Sequence, residues 1–119
     1  MSIEPGDILY RYNVRHDRLI RYTGTVTNLN GRRVVIFKDS VSTVRCPREQ
    51  DIGIIRSDGG FGPTLWMDSR DDELAREIFL EYEEDRLSKL RKQIAEKEKI
   101  VSMLKRDNVR RAACEDTKR

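Results

Sequence analysis

Between residues 10 and 22 four arginines, Arg11, Arg15, Arg18 and Arg21, alternate with the tyrosines Tyr10, Tyr12 and Tyr22. A guanidinium presents a planar fork of donors that grips phosphate oxygens in pairs, and a phenol ring offers a face on which a base stacks. If two strands pair across a turn at His16-Asp17, alternate residues share a face. Arg11 and Arg15 then come near Arg18 or Arg21 as an anion or nucleotide site, with Tyr10 and Tyr22 beside it. Arg33 belongs to the same candidate set, and Arg32, Arg45 and Arg48 extend the patch if strand register allows. The competing reading is that arginines spaced along an exposed strand protect a sheet edge and keep it soluble.

Other chemistry finds little to stand on. His16 is the single histidine, so no histidine-rich metal site exists, and Cys46 and Cys114 cannot make a zinc cage. His16 beside Asp17 has the form of an oriented base, yet no nucleophile accompanies it, and a solvated turn pair is the plainer reading. Gly59-Gly60-Phe61-Gly62 could cradle an anion on successive N–H groups, but it lacks the Lys-Ser/Thr ending of a P-loop and reads as a connecting loop. Phe61 and Trp66 could form a stacking surface, or Trp66 could be core. Glu81, Glu83, Glu84 and Asp85 form a solvated run, not a converging acid/base pair. No metal, cofactor or catalytic residue is expected, and the chain reads as a binding protein, not an enzyme.

A chain of 119 residues with 38% charged and 37% hydrophobic residues has room for one modest core and carries more charge than a globule that size needs. The formal charge of +3 is unevenly placed: residues 1–63 hold ten bases and seven acids, residues 64–119 fourteen of each. Two cysteines make a disulfide framework unexpected and fit a reducing compartment. With no apolar run near 18 residues and no basic-then-apolar leader, the expected protein is soluble, cytoplasmic and without a membrane partner.

The elements that position the arginines are β-strands. Asp7–Asn13 and Leu19–Leu29 mix aliphatic, aromatic and β-branched residues, with Gly24 as a candidate bulge. Asn30-Gly31 tolerates positive φ at both central positions of a type I′ turn and predicts a hairpin into Arg32–Lys38. A tight connection at Asp39-Ser40 leads to Val41–Cys46. Gln50–Ile55 is ambiguous, and Thr64–Met67 is a short closing strand. The fold class is therefore α+β: a small SH3-like antiparallel barrel, or a curled open sheet, over residues 1–67.

Beyond Pro63 there is no glycine or proline. Ser69 and Asp72 match a capping box, and one long charged helix is predicted over 68–106, with a frayed polar tail over 107–119. Leu74, Ile78, Phe79 and Tyr82 make an apolar face for docking on the barrel and Trp66. Leu80, Leu87, Leu90, Ile94, Val101 and Leu104 follow the 3/4 spacing of a coiled-coil seam, interrupted by Glu83 and Lys97. Residues 68–85 carry nine acids and two bases, residues 86–111 ten bases and three acids. That asymmetry predicts an antiparallel homodimer through this helix; the alternative is a monomer whose helix folds back and whose charges complement the helix dipole.

Gly6-Asp7-Ile8-Leu9-Tyr10, the Asn30-Gly31 hairpin with Arg33–Phe37, and Leu65-Trp66-Met67-Asp68-Ser69 leading into a charged helix resemble small accessory proteins of bacterial phages and prophages. The resemblance implies a stoichiometric counter-defence inhibitor, comparable to anti-CRISPR proteins and cyclic-nucleotide sponges, that binds a host defence protein or a nucleotide signal in the bacterial cytoplasm. A nucleic-acid-binding regulator using the basic Arg/Tyr face is the alternative.

Overall fold

The computed structural model describes residues 2–39, 42–57 and 62–117, with side chains described as far as residue 107. The fold is α+β, a curled six-stranded antiparallel half-barrel followed by one long helix. Strands β1 (Ile8–Arg15), β2 (Arg18–Leu29), β3 (Arg32–Phe37), β4 (Thr43–Arg45), β5 (Ile55–Ser57) and β6 (Pro63–Met67) precede α1 (Asp72–Thr117). Their order in the sheet is β4-β3-β2-β1-β6-β5. Two two-residue turns build the central meander. Asn30 and Gly31 take φ of 51° and 79°, the positive pair that a type I′ turn demands. His16 and Asp17 take 52° and 63° and close the β1–β2 hairpin in the same left-handed region.

Strand β1 is covered on both faces, so its alternation sorts the core into two. Leu9 faces inward with Ile3, Val26, Val35, Phe37 and Trp66. Tyr12 faces the other way, where it packs with Leu65, Met67, Ala75 and Phe79. The start of α1 thus docks on Leu65 and Met67, while Trp66, between them in β6, points to the inner face. Ala75 and Phe79 are buried and Ile78 half-buried, whereas Leu74, expected on the docking face, is exposed.

Gly24 is not a bulge. It pairs in continuous register with Leu9 on one side and Phe37 on the other. A β-carbon there would stand 2.3 Å from Val35 Cγ1, so close packing of adjacent strands is what requires glycine. The sixth strand, β5, runs from Ile55, at the end of the ambiguous stretch, to Ser57, read from the sequence as loop, and among the described residues it pairs with β6. Ser40 of the Asp39-Ser40 connection, the start of the expected fourth strand at Val41, and Gly59-Gly60-Phe61 lie outside the described residues.

The helix begins two residues later than the Ser69 cap predicts. Asp71 Oδ1 accepts the Leu74 N–H at 3.0 Å, so Asp71 supplies the capping oxygen. The helix also continues to Thr117, through the segment expected to fray. Residues 1–82 form one compact unit, and 83–119 form a second that is helical through Thr117. Every described side chain from Glu83 to Asp107 is exposed. Among the described residues no helix is long and apolar enough to cross a membrane.

Candidate anion-binding groove

The predicted arginine set divides between the two faces of the sheet, and alternation explains how. Arg11 lies opposite Tyr22 and Trp66, Arg15 opposite Arg18, and Tyr12 opposite Arg21. Directly paired residues share a face. Arg11, Arg15, Arg18 and Tyr22 therefore belong to the inner face, and Arg21 and Tyr10 to the helix face. Arg33 sits on β3, near the end of the sheet remote from the β1–β2 turn.

Arg11 does not reach solvent. It is 4% exposed, with its guanidinium carbon 4.4 Å from the Phe37 ring centroid, 4.7 Å from Tyr22 and 6.0 Å from Trp66. Phe37 and Trp66 stack at 6.1 Å, and Tyr22 tilts against Phe37 at 5.8 Å. A cation held among three aromatic rings recovers part of its lost hydration from their negative faces. Arg11 and Tyr22 come together, but as part of the packed interior, not as a surface that a ligand meets.

Arg21 is also committed. Its Nη1 donates to Asp72 Oδ2 at 2.6 Å and to Oδ1 at 2.8 Å, and Tyr12 donates its hydroxyl to the same Oδ1 at 2.8 Å. Arg21 and then Tyr12 hold the Asp72 carboxyl below the usual carboxylate range. Burial, followed by the Asp72 hydrogen bond and charge, pushes the Tyr12 phenol up to about 12. This trio fastens β1 and β2 to the first turn of α1, a structural task that the sequence reading assigned to neither Tyr12 nor Asp72.

Cationic side chains line solvent elsewhere, along β3, β4 and the segment after β4, with Arg32 and Arg45 on one face of this sheet edge and Arg33 on the other. Antiparallel pairing sets Val34 opposite Arg45, and the Cys46 N–H extends the ladder to the Arg33 carbonyl at 3.2 Å. The chain then turns through Pro47 into a 3-10 turn at Glu49–Asp51. A groove of about 1010 Å³ results, lined by Arg32, Arg33, Arg45 and Arg48 against one acid, Glu49. A second hollow of about 450 Å³ shares Arg45 and Arg48 and adds Arg56, Asp51 and Trp66.

The acids at the groove are occupied within the chain. Glu49 Oε1 accepts the Ile3 N–H at 3.0 Å, and Asp51 takes Arg48 and Arg56 at 3.2 Å each. Arg33 Nη1 donates to the Ile3 carbonyl, fixing one wall. Arg32 and Arg45 are both exposed, with no hydrogen bond or ion pair among the described residues. The Cys46 thiol in this wall is pushed up by burial, with Arg33 opposing, which keeps it protonated and a poor nucleophile. A groove with two uncommitted guanidinium forks and two that are structurally anchored can bind an anion.

Of the predicted site residues, only Arg33 lines this groove. Arg32, Arg45 and Arg48, read from the sequence as an extension of the patch, are its principal cations, and Arg56 was not anticipated. Among the described residues no three of His, Cys, Asp and Glu converge as metal ligands. Comparison of the chain with protein-family models, curated proteins and solved structures finds no match.

Proposed function

We propose that this chain is a non-catalytic, phage-type binding protein that acts stoichiometrically in counter-defence, sequestering a phosphate-bearing nucleotide signal in the arginine groove. The observation that carries the proposal is that Arg32, Arg33, Arg45 and Arg48 all line one groove of about 1010 Å³, in a chain whose formal charge is only +3. That volume is on the scale of small-ligand sites, and guanidinium forks suit phosphate oxygens. The counter-defence setting is supported by the resemblance of the strand and helix motifs to phage accessory proteins.

A second reading, a nucleic-acid-binding regulator, is favoured by one feature. Arg45 and Arg48 line both hollows and Arg56 continues the second, so the cationic surface extends beyond a single nucleotide's phosphates.

Calorimetric titration of mono-, di- and cyclic nucleotides and of short oligonucleotides, each at two salt concentrations, tests both. A compact nucleotide bound with shallow salt dependence supports the first reading, and an oligonucleotide bound with steep salt dependence supports the second. Arg32→Glu with Arg45→Glu should weaken either ligand by about tenfold or more. Binding that survives this double substitution, or no binding to any phosphate ligand, rejects the groove.

A further inference from the structure

Helix α1 carries an exposed apolar stripe that begins at Leu80 in the first compact unit and continues through the second. Leu80, Leu87, Leu90, Ile94, Val101 and Leu104 are each 46 to 60% exposed. With Glu83 and Lys97 filling two further levels, they follow alternate 3- and 4-residue steps along one continuous helix, the spacing that keeps a seam facing one partner helix. Exposed apolar residues scattered singly, such as Leu74, Ile100 and Met103, need no explanation, but six in seam register do.

The full seam has eight levels, at residues 80, 83, 87, 90, 94, 97, 101 and 104, and its steps run 3, 4, 3, 4, 3, 4, 3. That order is the same read from either end. A second copy reversed end for end therefore fits level for level, with the two-fold axis passing at Lys92.

Two charged levels decide the direction. With parallel copies in register, Glu83 meets the partner's Glu83 and Lys97 meets the partner's Lys97, so both interruptions set like charges face to face. With copies reversed about Lys92, Leu90 meets the partner's Ile94, Glu83 meets the partner's Val101, and Lys97 meets the partner's Leu87. Glu83 and the partner's Lys97 then lie one level apart, about 6 Å along the axis at 1.5 Å per residue, within reach of two long side chains. Asp85 is level with the partner's Lys99. Each of these contacts occurs twice by symmetry.

We infer that the exposed stripe is the interface of an antiparallel homodimer centred on Lys92, in which Glu83 and Lys97 act as the direction-setting pair. The occupant is a second copy because the pattern of steps and the pattern of charges are both self-complementary under the same reversal. The inference stands apart from the arginine groove and survives or fails independently of it.

Sedimentation equilibrium on the full chain should return twice the chain mass; a monomer at every concentration overturns the inference. Direction is read by cross-linking in a Cys46→Ser, Cys114→Ser background, with Trp66 fluorescence as the check that the sheet is intact. Glu83→Cys with Val101→Cys should form a covalent dimer under mild oxidant, whereas Val101→Cys alone should not, because the two cysteines then lie about 27 Å apart along the axis. A self-linking Val101→Cys chain means parallel helices and overturns the assignment. Lys97→Glu should weaken dimerisation about fivefold, and adding Glu83→Lys should restore it. A double variant as weak as the single one removes the proposed pair.

Discussion

Arg21 and Asp72, 51 positions apart in the chain, are joined through one guanidinium nitrogen that reaches both carboxylate oxygens, at 2.6 and 2.8 Å. The pair is half open to water, with the two side chains 27% and 44% exposed, so screening keeps its energy small. Its value lies in position, because it ties β2 to the first helical turn beside the buried Tyr12.

Asp72 makes the acid limb of stability measurable. Its carboxyl is lowered in the folded state by Arg21 first and Tyr12 second. A lowered carboxyl contributes stability that is present above the unfolded pKa of about 3.9 and is lost as pH falls through the folded value. Asp72→Asn should therefore cost about 0.5–1 kcal/mol at neutral pH and flatten the acid limb. Urea melts at neutral pH and at about pH 3 check this, and an unchanged difference between the two rejects the coupling.

Tyr12 governs the alkaline limb with the opposite sign. Its phenol is raised to about 12 in the folded chain, chiefly by burial. The neutral form is the one that folding favours, so its contribution is complete below the unfolded pKa near 10 and disappears as pH climbs from about 10 to 12. Two units correspond to about 2–3 kcal/mol. Tyrosinate absorbance should show the Tyr12 step late, and Tyr12→Phe should remove that step while lowering stability by about 1 kcal/mol.

Arg11 should prove a core residue. Arg11→Ala empties the space among Tyr22, Phe37 and Trp66 and is expected to cost about 2–4 kcal/mol. Arg11→Lys keeps the charge but loses the planar group that lies against the rings, and should cost more than 1 kcal/mol. Trp66 is the single tryptophan, so its emission reports the change directly. Anion binding should be little affected in the Lys variant, which distinguishes an interior role from a ligand site.

Gly24 and Val35 should be strongly coupled. With a β-carbon 2.3 Å from Val35 Cγ1, Gly24→Ala forces strand displacement and should cost about 1–3 kcal/mol. In a Val35→Ala background the same change should cost about half as much or less, since the atom it strikes has gone. Thermal melts of the four chains of this cycle supply the number, and strict additivity would refute the steric account.

What could be read in advance followed the range of the causes. The Asn30-Gly31 turn was legible because two adjacent residues decide it. The helix was legible because its 3/4 spacing and lack of glycine or proline are properties of one segment. Its cap was misplaced by two residues because Ser69 and Asp71 both fit the role locally, and only Asp71 is positioned to accept the Leu74 N–H. Which face Trp66 takes depends on β6 pairing with β1 across more than fifty residues. The same is true of the split between Arg11 and Arg21: their types announce anion chemistry, but the register that buries one in aromatic rings and ties the other to Asp72 is not written near either. The groove depends on β4 lying against β3, so its arginines looked like an appendage to a patch that the sheet divides.

Strand β1 packs on both faces, with Leu9 and Arg11 inward and Tyr12 toward the helix, and this places unequal constraints on how the chain can change length. One residue inserted in β1 would swap the faces of everything after it, bringing a phenol into the aromatic interior and a guanidinium under the helix. The segment after Glu83 has no such parity to keep, since every described side chain in it is exposed in the single chain. It tolerates gain or loss of whole heptads while its stripe stays in phase. Descendants of this sequence should therefore hold their β1 length fixed and vary the helix in steps of seven, a ruler that can be extended without redrawing the groove.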